Sequence, residues 1–140
     1  MSSVTLELPF PPAALSPNAR VHWRVKAVVA ANYRSDCAWE AVADKAARGY
    51  TRNGGMTPPV RAAVTFVVPD RRRRDLDNLL ASLKSAWDGL CDAGVLAGDD
   101  AERFRVASSD LRYEKGKSCV IVELKGAEHE VVSVLQRGHQ

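Results

Sequence analysis

The chain has 140 residues, 46% of them hydrophobic, and its 20 lysines and arginines against 17 aspartates and glutamates give a net charge of +3. These values predict one globular domain with a core and exclude a chain that is basic throughout. No run approaches the roughly 18 apolar residues of a membrane span, and no early segment resembles a signal peptide. We therefore expect a cytoplasmic protein that has no membrane partner.

The first part of the chain predicts a strand, a loop and a long helix. Apolar and polar residues alternate from Val4 to Leu8, which is typical of a half-buried strand. Four prolines within residues 9–17 exclude regular structure there. Residues 25–48 lack glycine and proline and carry apolar residues at helical spacing, so they predict one helix. Ser35-Asp36 is the candidate position for a break in it, and Gly49 is expected to end it.

The second part predicts a strand, a second helix and two more strands. Val60–Val68 is rich in β-branched residues and apolar on both faces, which favours a central strand. An apolar stripe over residues 79–91 predicts the second helix. Residues 104–111 and 119–124 predict two strands that form a hairpin about a turn at 114–117.

Together these elements predict an α/β (α+β) fold: a single small domain with a mixed sheet of about four strands packed against two main helices. Residues 1–125 form this domain, and residues 126–140 form a C-terminal tail whose segment 131–135 is a short helix or a docking arm. The widely spaced Cys37, Cys91 and Cys119 fit neither a disulfide frame nor a zinc site. We expect them to be buried or free thiols of a reducing compartment.

Four arginines and three aspartates crowd into residues 69–78, between the central strand and the second helix. A turn needs only glycine, proline, asparagine or aspartate, so packing does not explain this composition. Arginine makes bidentate contacts to phosphate, and the run therefore favours binding of a nucleic-acid backbone, although a solvated basic loop is the alternative. The candidate contacts in this segment are Arg71, Arg72, Arg73, Arg74 and Asn78.

Two acidic pairs accompany the arginines. Asp75 and Asp77 are separated by one residue at the end of a strand, where two carboxylates can hold a hard cation such as Mg²⁺. The alternative is that they cap the helix that follows. Asp99 and Asp100 form the second pair, and the loop before them can return it to the first pair; a solvated turn is the alternative.

Lys84 lies seven residues after Asp77, and a long helical side chain leans back toward the N-terminus. It is therefore a candidate to stabilise a phosphate or a leaving oxyanion near the metal. The alternative is a surface lysine paired with Asp88 at i+4.

An earlier segment mixes Arg20, Trp23 and Arg24. Two interpretations remain open for it: a lip that touches DNA phosphates while Trp23 stacks on a base, or a helix start anchored by Trp23. The three histidines have no supporting partners in the sequence, and we expect them at the surface.

At these residues the chain resembles the RusA family of Holliday junction resolvases, which are common in phages and prophages. The likeness spans roughly residues 4–124; its motif residues are Pro69 to Leu79, Trp87-Asp88-Gly89-Leu90, Ala93-Gly94 and Asp99-Asp100, with Leu8-Pro9, Pro11-Pro12 and Asn18 near the start. The resemblance implies a homodimer, Mg²⁺ or Mn²⁺ dependence without an organic cofactor, and paired nicking of four-way junction DNA in a bacterial cytoplasm.

By position, the resemblance assigns catalytic and metal-binding carboxylates to Asp75, Asp77 and Asp100, with Asp99 as the ambiguous neighbour. The catalytic lysine of the family follows the second motif aspartate by four residues, a place that Ala81 holds here. Lys84 matches only if three residues are inserted. Two other hypotheses stay open: a DNA-binding module that has lost catalysis, and a basic adaptor for RNA or protein.

Overall fold

One mixed sheet of four strands forms the centre of the fold. In chain order the strands are β1 (Ser3–Leu8), β2 (Val60–Val68), β3 (Phe104–Tyr113) and β4 (Cys119–Lys125), and their spatial order is β1-β4-β2-β3. β4 runs antiparallel to β1 and β2, whereas β2 and β3 are parallel. The structure is a computed structural model and describes residues 2–127. The predicted α+β class and the central position of β2 are confirmed.

The predicted hairpin of the last two strands is wrong. β2 lies between β3 and β4, so the chain crosses the end of β2 through residues 114–118. The backbone N–H of Glu114 donates to the carbonyl oxygen of Val68 at 2.9 Å, which ties this crossing to the carboxyl end of β2. The physical reason is that β2, apolar on both faces, is a central strand and takes a neighbour on each edge.

The long helix predicted over residues 25–48 is two helices, α1 (Trp23–Ala43) and α2 (Lys45–Thr51). The break is at Asp44 instead of Ser35, because Asp44 adopts an extended backbone with φ −79° and ψ 125°. Its carboxylate caps α2 by accepting from the N–H of Ala47 at 2.9 Å. Gly49 lies inside α2 and does not end it.

The second predicted helix is also in two pieces, α3 (Leu76–Ala81) and α4 (Lys84–Asp92). Ser82 and Leu83 separate them: the Ser82 hydroxyl donates to the carbonyl oxygen of Asn78 at 2.8 Å, and the Leu83 side chain is fully buried. Gly94, with φ +85°, follows the end of α4.

The core lies between the sheet and the pair α1 and α4. Gly89 of α4 permits their close approach, since a Cβ there would collide with the carbonyl oxygen of Arg34 in α1. The three cysteines are free thiols, of which Cys37 and Cys119 are buried. Across residues 2–127 no helix is both long and apolar enough to cross a membrane. The helix or arm predicted at residues 131–135, and most of the predicted tail, lie outside the described residues.

Candidate metal and nucleic-acid site

The turn between β2 and α3 is held in shape by Arg74. Its Nη2 lies 3.0 Å from Oδ1 of Asp70, and its Nη1 donates to the carbonyl oxygens of Asp70 at 2.9 Å and Arg72 at 3.1 Å. Only 11% of the Arg74 side chain is exposed. The N–H of Arg72 and the Arg74 guanidinium both lower the pKa of Asp70. Arg74 therefore has a structural role in the turn, and its guanidinium is already bonded to Asp70 and Arg72.

The other three arginines of the run face solvent. The guanidinium of Arg71 lies 4.4 Å from the ring centroid of Tyr113, at the end of β3. Arg72 and Arg73 are exposed and have no ion-pair partner within the described residues. The turn thus presents cations on a backbone that Arg74 fixes, an arrangement suited to phosphate.

Asp75 and Asp77 stand at the start of α3, directly after these cations. Oδ1 of Asp75 accepts from the N–H of Asn78 at 3.2 Å, so the capping interpretation of Asp75 is confirmed. Asp77 lies in the first turn, is exposed and pairs with no cation in residues 2–127. Mg²⁺ is commonly held by one or two carboxylates together with waters and substrate phosphates, and these two side chains have that donor chemistry.

The second acidic pair points to two different partners. Oδ2 of Asp99 lies 2.5 Å from Nζ of Lys84, which also contacts Oδ1 of Asp88 at 2.8 Å. Asp100 pairs instead with Nη1 of Arg103 at 2.6 Å and accepts from the backbone N–H groups of Glu102 and Arg103. Asp100 therefore closes its own turn, and Asp99 belongs to the neighbourhood of Lys84.

These contacts fix the charge of each group. The Lys84 ammonium donates hydrogen bonds to the carboxylates of Asp88 and Asp99, and these bonds raise the pKa of Lys84, so that it remains protonated at neutral pH. The Lys84 ammonium lowers the pKa of Asp99, and the Arg103 guanidinium lowers that of Asp100. The pairing of Lys84 with Asp88 that sequence spacing suggested is present, but it is shared with Asp99.

In the described part of the chain no three histidine, cysteine, aspartate or glutamate side chains stand close enough to hold one metal ion together. The meeting of Asp100 with Asp75 and Asp77 that we expected is therefore not seen within one chain. Asp100 instead pairs with Arg103, and Asp75 accepts from the backbone of α3.

Trp23 is the first residue of α1 and is 68% exposed, so it begins the helix without anchoring it in the core. The His22 ring stacks against its ring at 5.7 Å between centroids, and the Arg24 guanidinium lies 5.2 Å from the ring centroid. Arg20 is also exposed. One pocket of about 500 Å³ is lined by Trp23, Lys26 and Lys84. Trp23 of the predicted DNA-contacting lip therefore lies on the same pocket as Lys84. Sequence reasoning missed Lys26, whose signal was its i+3 position after Trp23.

Comparison with known proteins finds relatives over part of the chain. It is 34% identical over 87 residues to the crossover junction endodeoxyribonuclease RusA of Aquifex aeolicus, covering 62% of this chain and 65% of that protein. It is 48% identical over 48 residues to the RusA of Escherichia coli strain K12, covering 34% and 37%. An uncharacterized protein of Xylella fastidiosa is 39% identical over 113 residues, covering 71% and 61%. No protein-family model matches the chain, which spans less than two thirds of the length of each of these relatives.

The chain is a small α+β protein with one mixed four-stranded sheet. Its candidate site is the strand-to-helix turn at the end of β2, which carries exposed cations and carboxylates. The homologues from Aquifex and Escherichia carry the RusA name, and the resemblance of this chain to the RusA family is thereby confirmed.

Proposed function

We propose that the chain is a metal-dependent endodeoxyribonuclease that resolves four-way (Holliday) junctions by paired symmetric nicks, in DNA recombination and repair. One observation carries this proposal: the exposed carboxylates of Asp75 and Asp77 directly follow the exposed cations of Arg72 and Arg73 on a turn fixed by Arg74. The two homologues named as crossover junction endodeoxyribonucleases support the reaction class.

Asp75 and Asp77 would hold the cation, Mg²⁺ or Mn²⁺, through oxygen ligands. A divalent cation bound there would neutralise charge on the scissile phosphate and make a water molecule more acidic. Of the second pair, we propose Asp99 as a third carboxylate because it lies with Lys84, whereas Asp100 closes its own turn. Asp99 would have to move to share a cation with Asp75 and Asp77, since no three such side chains stand together within residues 2–127 of one chain.

Lys84 takes the role of the family lysine in this proposal. The break between α3 and α4 falls at Ser82 and Leu83, between the expected place at Ala81 and Lys84 itself. An insertion of three residues at such a break displaces a lysine along the sequence without requiring a continuous helix. The protonated ammonium, with 68% of the side chain exposed, would exchange part of its contacts with Asp88 and Asp99 for the phosphate. It would then stabilise the phosphate and the departing 3′ oxygen.

The arms of the junction would lie on the exposed arginines of the turn, with Trp23, Arg20 and Arg24 as a second contact. Because these contacts are mainly to phosphates, affinity should fall steeply with salt. We also propose a homodimer, since a two-fold axis sets two sites against a symmetric junction and large apolar side chains are exposed on α1 and β3. The cellular setting would be a bacterial cytoplasm and the gene that of a phage or prophage.

The test is incubation of an end-labelled four-way junction with the protein in Mg²⁺, Mn²⁺, Ca²⁺ or chelator. We expect paired nicks with 5′-phosphate and 3′-hydroxyl ends that ligase reseals, in Mg²⁺ or Mn²⁺ only. Plain duplex and RNA serve as competitors, and an adaptor would not prefer the junction over them. Junction binding without cutting in any metal would support the non-catalytic module instead.

A further inference from the structure

A pocket of about 350 Å³ lies between the proline-rich loop and the arginine turn. Its lining joins apolar surface from Phe10, Pro12 and Leu79 to polar groups from Arg72, Asn78 and Ser118. Three separate parts of the chain therefore meet at this pocket, and the motif residue next to Asp77 is one of its walls.

The apolar wall of the pocket is supported by core residues of β2 and α1. The ring of Phe10 packs edge-on against the fully buried Phe66, with 5.9 Å between centroids and 67° between planes. The hydroxyl of Tyr33 in α1 donates to the carbonyl oxygen of Pro9 at 2.7 Å, which fixes the loop just before Phe10. A flat ligand would thus meet an aromatic surface that is already ordered.

The polar side keeps its hydrogen-bonding groups unused. The backbone of Asn78 is occupied, since its N–H donates to Asp75 and its carbonyl oxygen accepts from Ser82, but its side-chain amide has no partner within residues 2–127. The same holds in that range for the Arg72 guanidinium and the Ser118 hydroxyl. Residues that carry an amide donor and acceptor, a hydroxyl and a cation therefore line one small space.

We propose that this pocket receives one unstacked nucleotide of the bound DNA, with the base against Phe10 and within reach of Asn78, and the phosphate at Arg72. The inference rests on the proposed function and extends it to the choice of cutting position.

The chemistry of the lining favours this ligand over a purely apolar one. Any base has a π-face that stacks on an aromatic ring, its edge matches an amide, and a guanidinium suits its phosphate. The volume is near the lower end of ligand pockets, about 300–1,000 Å³, so it suits one nucleotide better than a base pair. Base stacking is interrupted where strands exchange at a junction, so extruding a base should cost less there than inside a continuous duplex. Since Asn78 follows Asp77, a base in this pocket would lie close to the proposed cut.

The inference can be tested by photocrosslinking. Junctions carrying 5-iodouracil at each successive position around the branch point are bound in Ca²⁺, irradiated and digested, and adducts are located by mass spectrometry. We expect one position to give an adduct on the peptide that contains Phe10. Ser118→Leu, which narrows the pocket, should reduce that adduct to background, whereas Ser3→Leu at the far end of β1 should leave it unchanged. In Mg²⁺, Ser118→Leu should also reduce base discrimination at that position from roughly tenfold to near equality.

The outcomes separate the two proposals. A junction that the protein binds and cuts without any adduct on Phe10, or with an adduct equally strong in Ser118→Leu, would overturn the pocket inference alone. A single strand carrying the same 5-iodouracil is the second substrate. An adduct on Phe10 from that strand that is lost in Ser118→Leu, with no cutting of junctions, would retain the pocket and overturn the nuclease.

Discussion

Nζ of Lys84 lies 2.5 Å from Oδ2 of Asp99, a residue fifteen positions later in the chain. This contact links the first turn of α4 to the loop after it, and it selects Asp99 over Asp100 as the acid that accompanies the lysine. Asp88 shares the ammonium at 2.8 Å, so two carboxylates hold one cation beside the pocket lined by Trp23.

Lys84→Ala should lower the rate of junction cutting by about 10²-fold, because a preorganised charge at the phosphate is lost. The free energy of unfolding should change by no more than about 1 kcal/mol, since 68% of the Lys84 side chain is exposed. Single-turnover cutting in Mg²⁺ and binding in Ca²⁺ measure the two effects separately. Lys45→Ala, an exposed lysine at the start of α2, is the matched control; equal loss in both variants would refute a role for Lys84.

Asp99→Asn and Asp100→Asn should differ. Asp99→Asn removes a carboxylate that lies with Lys84, so cutting should fall strongly while binding persists. Asp100→Asn keeps an oxygen that caps the turn before Arg103 and should retain most activity. Parallel cutting assays decide the matter: if only Asp100→Asn is inactive, the third carboxylate is Asp100, as position in the sequence suggested.

Asp77→Asn should abolish cutting while junction binding stays equal or tightens, because one negative charge near the phosphates is removed. Gel-shift titration in Ca²⁺ and cutting in Mg²⁺ give the two readouts. Asp36→Asn, an exposed aspartate on α1, is expected to behave as wild type. Normal cutting by Asp77→Asn would remove it from the metal site.

The arginines of the turn should divide into two kinds. Arg72→Gln and Arg73→Gln should each reduce the slope of log affinity against log salt by about 0.9 without changing thermal stability, because each removes one phosphate contact. Arg74→Gln should instead lower the free energy of unfolding by about 1–3 kcal/mol, since the carbonyls of Asp70 and Arg72 lose their donor. Arg52→Gln, an exposed arginine at the end of α2, controls for charge. A salt slope that falls equally in all four variants would show that the sites are not distinct.

Stability should fall at alkaline pH through two buried groups. Burial raises the pKa of Cys37 from 9.0 to about 12, and burial also raises that of Tyr33. Both groups ionise more readily in the unfolded chain. The contribution of Cys37 is full below about pH 9 and is lost as pH rises toward about 12, and that of Tyr33 begins to fall only above about pH 10. Each group can add a slope of up to about 1.4 kcal/mol per pH unit. Urea unfolding of wild type and Cys37→Ala isolates the thiol, and identical pH slopes would exclude it.

The sequence predicted the parts of the fold that depend on local pattern. β2 ends where the prediction placed it, and the polar turn follows directly because apolar residues stop at Val68. Pairing of strands was not predictable in this way: a turn between β3 and β4 resembles a hairpin whether or not a third strand lies between them. The breaks at Asp44 and Ser82 were missed because each depends on a side chain that bonds the backbone, and helical periodicity continues through both.

The site was predictable as a composition and less so as a geometry. Residues 71–74 are all arginines, yet Arg74 contacts Asp70 within the turn while Arg72 lines a pocket. Four consecutive arginines carry no sequence signal that distinguishes the structural arginine from those that face solvent. Asp99 and Asp100 are likewise adjacent and identical, and only the positions of Lys84 and Arg103 assign them different partners.

In the described sheet β1 has a single neighbour, β4, and their residues lie more than a hundred positions apart. As the chain is synthesised, its first strand therefore has to wait for its last strand before it can join the sheet. Phe10 follows β1 directly, and its contacts with Phe66 and with the loop that Tyr33 holds can form earlier, but the strand next to it has no partner until β4 arrives. A nascent or truncated chain that stops before residue 119 would carry the arginine turn on a sheet that lacks both β4 and the pairing of β1.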